Sequence, residues 1–397
     1  MSVLSGVWGL GEGSVRARDL RGMIPARGPS CAPRRSLLSA RGSGSRSVED
    51  ELGTPVRRRI TAMLGAFLVF VLGVFLGCAP EDEGATNAPS TTAQRTETPA
   101  RTAEEASNAK PPPNIAEAAA AGIDEPSIHT HLSRLTGGAP APLESGAVTI
   151  AERGSVDGRR AATEYMEQSF EEMGISARIL EFYWGEVPGF NVEATLPGTG
   201  GEKHLWVTAH MDSVHNAGAN DNSSGLVSIL LTARVLKRLE PEHTIHFVAY
   251  DLEEVNLVGS SRYVGSTVRS IREQGGDGAI IGNLNSDMIG YEEGGFDAVI
   301  GTCNQAGTID DALLRASKML DSPIELRKVC LGRSDHQHFW DAGLPAVVLT
   351  DGAIYDGYPC YHERCDTLDK LDLSYLRSMI QLTAAATALL ADAKAES

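Results

Sequence analysis

The sequence predicts an α/β fold: a single three-layer domain whose central mixed sheet is mostly parallel and flanked by helices. Three observations carry that expectation. Amphipathic helical stretches alternate with short strands from about residue 123 to the C-terminus. Several of the strands are near-continuous apolar runs, which suits strands covered on both faces. Carboxylates and imidazoles gather just past the ends of those runs, where open α/β sheets bind their ligands.

Taken in order, residues 159–173 set Ala162, Tyr165, Met166, Phe170 and Met173 on one helical face, and Gly174 stops the helix. Strands follow at 177–184, 190–196 and 204–210. A helix fits 224–239, a strand 243–251 and a second helix 259–272. Strands are expected at 278–288 and 297–301, a helix at 309–320, strands at 324–330 and 345–351, and a closing helix at 374–391.

The chain before this pattern reads differently. Residues 1–59 are rich in Gly, Ser, Arg and Pro without periodicity, as in a disordered or mis-assigned extension; Val56, just ahead of Arg57-Arg58-Arg59, is a candidate start. Residues 60–78 carry no charge and follow the three arginines, which reads as an export signal. Leu76-Gly77-Cys78 resembles a bacterial lipobox with Cys78 as the lipidated residue, although Phe75 is an unusual occupant of its position. An uncleaved membrane anchor or an ordinary signal peptide remains open, since the run nearly reaches the ~20 apolar residues of a spanning helix. Residues 79–122, rich in Pro, Thr, Glu and Ala, read as a disordered tether, and 123–397 as the folded domain. The expected place of that domain is therefore outside the cytoplasm, in the cell envelope, held at the membrane by a lipid or an anchor.

Charge narrows the function classes. Of the chain's 35 basic and 52 acidic residues, 1–78 hold 11 Arg and 5 acids, leaving 24 bases against 47 acids for the rest. A folded part so acidic does not suit nucleic acid or anionic lipid as a partner.

Chemistry is concentrated at the strand ends. In HFVAYDLEEV (246–255) an apolar strand runs into Asp251, Glu253 and Glu254. Adjacent carboxylates leaving a core need a cation nearby, unless one is wanted as a base. The strand HLWVTAH ends on His210, with Asp212 next. Asp221 precedes a helix, Asp287 stands at the end of the 278–288 strand, and His362 lies beyond the 345–351 strand. Mixed His and carboxylate donors suit zinc, and their number suits two ions bridged by one carboxylate. Two ions about 3.5–4 Å apart can hold a shared hydroxide and polarise a carbonyl together. One glutamate can then bind metal while its neighbour takes a proton, and the residues alone do not say which.

The ordered set HMDSV, GANDNSSG, EEVNLVGS, NSDMIGY, GRSDHQHF and CYHERCDT resembles the co-catalytic di-zinc aminopeptidases of the secreted bacterial leucyl type, over about 204–371. The resemblance implies a zinc exopeptidase-like fold, two Zn2+ ions and peptide substrates with a free N-terminus. It implies His210 and Asp287 on one zinc, Glu254 and His362 on the other, and Asp221 as the bridge, with a cis peptide at Asp221–Asn222. By the same resemblance Glu253 is the general base, Tyr361 the oxyanion donor, Asp212 the carboxylate orienting His210, and Arg333 a substrate contact. Asn256 stands where the family usually has Gly; Asn tolerates a left-handed backbone. Asp335-His336 is common in the family and is assigned no ligand role.

Cys360 and Cys365 flank Tyr361-His362, and similar enzymes bond this pair; Cys303 and Cys330 are either a second disulfide or two free thiols. Three other readings stay open: a related-fold zinc carboxypeptidase or deacetylase, a glutaminyl cyclase-like enzyme with a single zinc, and a non-catalytic binding domain. None of the expected ligands is missing, which disfavours the last two. First-residue preference and oligomeric state are not legible.

Overall fold

Residues 114–293 and 295–394 are described by the computed structural model. The N-terminal extension, the 60–78 segment with Cys78, and the tether up to residue 113 lie outside them.

The folded part begins earlier than Ile123. Asn114 caps helix α1 (Ile115–Ala120), forming a reciprocal capping box with Glu117. Ala116 and Ala119 of α1 are fully buried. The expected tether therefore ends before this helix; its alanines read as low complexity, but packing against the closing helix gives them a place. Helix α2 (Glu125–Leu135) and a small hairpin of β1 (Ala141–Leu143) and β2 (Gly146–Val148) follow, neither of them foreseen.

Helix α3 (Val156–Glu172) leads into β3 (Ala177–Trp184), β4 (Val187–Leu196) and β5 (His204–His210). Helix α4 (Ser224–Leu236) precedes β6 (Thr244–Tyr250). Helix α5 (Val258–Tyr263) runs through a π-turn at Val264–Val268 into α6 (Arg269–Gly275), so the expected 259–272 helix forms with one wider turn inside it. Then come β7 (Ile280–Ser286), β8 (Asp297–Gly301), α7 (Ile309–Leu320), β9 (Glu325–Val329), the short α8 (Gln337–Asp341), β10 (Ala346–Asp351) and α9 (Leu373–Leu390).

Eight strands form one mixed sheet in the order β3-β4-β6-β5-β7-β10-β8-β9. The central four, β6-β5-β7-β10, are mutually parallel, while β4 and β8 run antiparallel to their central neighbours. Leu205, Val207, Leu284 and Val347 face a core shared with α4 and α9, and Trp206, Val248 and Ala346 face a second with Tyr263, Val268 and Phe339. Each such side chain contributes about 1.5–3 kcal/mol by leaving water. In α4 every residue but Arg234 is buried, so the helix that follows Asp221 is clamped on all sides. Among the described residues no helix is long and apolar enough to cross a membrane.

Candidate metal centre

The parallel order places the carboxyl ends of β5, β6 and β7 side by side. His210 closes β5, and its Nε2 lies 3.1 Å from Asp221 Oδ1 and 3.4 Å from Asp287 Oδ1. His362 Nε2 lies 3.3 Å from Asp221 Oδ2 and 3.0 Å from Glu254 Oε2. Asp221 thus turns one oxygen toward each imidazole. One donor atom each from His210, Glu253 and Asp287 fits within a 4.8 Å spread, as does one each from His210, Asp221 and Glu254.

These close approaches are poorly aligned as hydrogen bonds. Asp221 Oδ2, Glu254 Oε1 and Asp287 Oδ1 are buried with no hydrogen-bond partner. A buried carboxylate oxygen without a donor costs roughly 1–3 kcal/mol or more. Three of them converging with two imidazoles fit a cation, and the N and O donors suit zinc.

The backbone around the cluster is held by charge. Asp366 accepts hydrogen bonds from the N–H groups of Asn220 (2.8 Å) and Asp221 (3.0 Å) and from the Tyr358 hydroxyl. The peptide Asp221–Asn222 is cis, and Asn222 bonds the Ser286 carbonyl. A Cβ at Gly225 would strike that same carbonyl oxygen, so glycine is needed where α4 passes β7. Arg153, fully buried, donates to the carbonyls of Leu135, Met211, Ala217 and Gly218 and so fixes the loop between β5 and Asp221. Asp251 is paired at 3.0 Å with the buried Arg159 of α3. This is a cation that the acidic stretch after β6 requires. Even so, burial and Asp212 push the Asp251 carboxyl up to about 7.

Asp212 stands beside His210 and reaches it with both main chain and side chain. His210 Nδ1 is 3.2 Å from the Asp212 backbone carbonyl and 3.7 Å from its carboxylate. The carboxylate also accepts from the N–H groups of Glu253 (3.0 Å) and Glu254 (3.1 Å). Asp212 therefore orients His210 through its main chain and positions the glutamate pair with its side chain.

Glu253 is half-buried and makes no ion pair. Burial, reinforced by Asp335, Asp287 and Glu254, holds its carboxyl well above the ordinary range against the pull of His210. Burial and Asp221 raise Glu254 to about 7 despite His362. Asp335, fully buried with both oxygens unpartnered, is raised by burial to about 7. For Asp221, burial pushes upward, but His210 and His362 more than offset it and leave the carboxyl below its usual range.

Several non-glycine residues at the site's edge adopt left-handed backbone: Leu252 (φ 58°), Asn256 (φ 74°), Leu257 (φ 54°), Met288 (φ 53°) and His362 (φ 58°). Such conformations cost of order 1–3 kcal/mol each and persist where the surroundings over-determine them. Asn256, the departure from the family pattern, occupies a backbone that Gly would adopt freely.

The remaining predicted residues lie around the rim. The Tyr361 ring stacks on His362 with centroids 3.8 Å apart. Arg333 is not among the clustered donors; it bonds Asp356 at 2.9 Å and lies over the Tyr355 ring. Both Cys360–Cys365 and Cys303–Cys330 are disulfides. The sequence reading missed Arg153, Arg159 and Asp366. The one signal was the acid in CYHERCD, which stood in plain view but was passed over for its neighbouring histidine.

Residues 191–387 match the family model described as Peptidase family M28. These residues belong to that family. The chain is 30% identical over 234 residues to leupeptin-inactivating enzyme 1 of Streptomyces exfoliatus, covering 54% of this chain and 51% of that protein. It spans about half the length of this curated relative. An aminopeptidase from Aneurinibacillus sp. strain AM-1 has the same fold, with a TM-score of 0.59 at 17% identity, covering 70% of this chain and 96% of that one. The glutaminyl cyclase of Fimbriiglobus ruber is also similar in fold, with a TM-score of 0.53 at 18% identity over 66% of this chain and 94% of that one.

Proposed function

We propose that this M28 domain is a di-zinc aminopeptidase that removes residues one at a time from peptides with a free N-terminus. The observation that carries the reading is the placement of Asp221, with one oxygen facing His210, which also meets Asp287, and the other facing His362, which also meets Glu254. That arrangement supports His210 and Asp287 holding one ion, His362 and Glu254 the other, and Asp221 both.

When bound, zinc supplies Lewis acidity that polarises the scissile carbonyl and makes water a better nucleophile. The protein supplies the rest. The Nδ1–H of His210 donates to the Asp212 carbonyl, which leaves the Nε2 lone pair facing the carboxylates. Glu253 takes the proton from the attacking water and passes it to the leaving amine; its raised carboxyl suits a group that must both accept and return a proton. Burial keeps the Tyr361 phenol protonated, so it donates to the oxygen on which charge develops. The surplus of carboxylate favours an ammonium over a terminal carboxylate beside the centre, although two cations partly offset it.

A panel of aminoacyl-nitroanilides, N-acetylated peptides and free peptides, with and without chelator, tests the reading. Free N-termini should be attacked first, and acetylation and chelation should each remove most activity. Release from the C-terminal end would point to a carboxypeptidase, and cyclisation of an N-terminal glutamine without hydrolysis to the cyclase. We also propose export and lipidation at Cys78, tested by palmitate labelling of the wild type and of Cys78→Ser; equal labelling of both would reject it.

A further inference from the structure

We infer that the tip of the β3–β4 hairpin, through Tyr183 and Trp184, binds the part of a peptide substrate that lies beyond the scissile bond. This rests on the aminopeptidase reading above and adds a surface outside the metal centre.

The first observation is exposure. Among the described residues six large hydrophobic side chains are exposed, and four of them, Ile179, Tyr183, Trp184 and Val187, belong to this one hairpin. Tyr183 is 62% exposed and Trp184 43%. Ile179 and Tyr183 lie on one face of the hairpin and the paired Trp184 and Val187 on the other, so the tip offers apolar contact surface on both sides.

The second is position. Val192 of β4 stands beside Ala249 of β6, and the Phe190 N–H bonds the Asp251 carboxylate, so Phe190 is level with the end of β6. Val187 is three residues further on and pairs with Trp184. At about 3.3 Å per residue the tip stands roughly 10 Å beyond the rim that carries Glu253 and Glu254. Two strand spacings put β3 about 10 Å to one side of β6. A peptide leaving the metal centre in extended form covers that distance in about three to five residues.

The third is direction and bracing. The leaving amine must come within reach of Glu253, which follows β6, and the downstream chain starts at that amine. Glu253 follows β6, the strand that pairs with β4 of the hairpin. The same Arg159 that pairs with Asp251, two residues before Glu253, also donates to the Pro188 carbonyl of the hairpin at 2.8 Å. Arg160 covers the Phe190 ring at 4.5 Å, and Arg262 reaches the Tyr183 carbonyl at 3.5 Å. The hairpin is thereby held from both sides, while its two aromatic side chains stay uncovered.

The test compares substrates of two lengths on the zinc-loaded full chain and on Tyr183→Ala, Trp184→Ala and Trp184→Phe. Leucyl-nitroanilide ends short of the hairpin; a leucyl peptide of about six residues reaches it. Each alanine variant should lower kcat/KM for the long peptide about tenfold, chiefly through KM, as expected for an aromatic contact. It should change leucyl-nitroanilide cleavage by less than about twofold, and Trp184→Phe should recover most of the loss. An equal fall on both substrates, or no fall on either, would overturn the proposal. So would unchanged peptide kinetics with lost retention on phosphatidylethanolamine–phosphatidylglycerol vesicles, which would make the tip a membrane contact. A wild type that leaves leucyl-nitroanilide uncut would instead remove the aminopeptidase reading itself, and the hairpin's role with it.

Discussion

Around Glu193, on the strand next to the sheet's edge, each carboxylate oxygen has a donor. Its Oε1 accepts from His246 (2.9 Å) and from the Tyr263 hydroxyl (2.7 Å), its Oε2 accepts from Arg178 (2.8 Å), and Trp206 donates to Tyr263 in turn. Burial pushes the Glu193 carboxyl up, but those donors prevail and bring it down to about 2. At the carboxyl edge, four carboxylates and two imidazoles crowd together, and Asp221, Glu254 and Asp287 each keep a buried oxygen without a donor. There Glu254 is raised to about 7. Both clusters set histidine against buried carboxylate, although His362 of the second is 40% exposed. The first has donors for its charge and is a structural joint between strands. The second has a surplus of acceptors whose lone pairs converge, which is the signature of a cation site rather than of a core network.

That contrast breaks most sharply at Asp221. Asp221→Asn should lose both metal content and activity, because one carboxylate serves both halves of the centre. Elemental analysis showing two zincs held at wild-type affinity would remove Asp221 from its shared position. Glu253→Gln should lower kcat by about 10²–10⁴-fold while leaving zinc content near wild type, since Glu253 is read as a base and not a ligand. Full turnover in that variant would place the base elsewhere.

Glu193→Gln should do the converse: leave kcat and metal content near wild type but lower stability by about 1.5–3 kcal/mol at neutral pH, read by denaturant melts. The folded carboxyl of Glu193 is depressed, so its contribution is complete above its ordinary value of 4.5 and is lost as pH falls toward about 2. The gap between wild type and variant should therefore narrow across that window; a gap that widened there would contradict the pairing. The smallest effect is expected at Arg178→Ala. Arg178 reaches Glu193 from a side chain that is 59% exposed, so water and salt screen the pair and the loss should stay below about 1 kcal/mol. A larger loss would show that the joint depends on its exposed cation.

Much of the site was legible because polar residues interrupt apolar strands at a fixed end. His210 after HLWVTA, and Glu253 and Glu254 after HFVAYDL, are conspicuous against their own neighbours. The residues that hold these in place were not. Arg159 lies in a helix whose polar positions read as solvent-facing, yet it is buried against Asp251, 92 positions away. Arg153 serves four backbone carbonyls, and no sequence pattern marks a carbonyl as needing a donor. Helix α1 reads as tether because six residues, four of them Ala, cannot form a stable helix alone. Nothing in the sequence marks the hairpin tip, since YW at a strand end looks like any other half-buried pair.

By itself the sequence determined the kind and order of elements from α3 onward, apart from the short α8, and the chemical identity of the groups at the strand ends. Those follow from local patterns: alternation, helical period, and the cost of burying charge. Tertiary structure decided which of the acidic groups found donors. Glu193 and Asp221 are both acids beside buried histidines, and nothing within a few residues of either distinguishes them. Their partners come from strands and loops tens of residues apart, and the strand order β4-β6-β5-β7 sets which of them meet. Donor supply is a property of three-dimensional neighbours. Only the folded chain could therefore make one carboxylate a satisfied joint and leave the other's oxygens free for a metal.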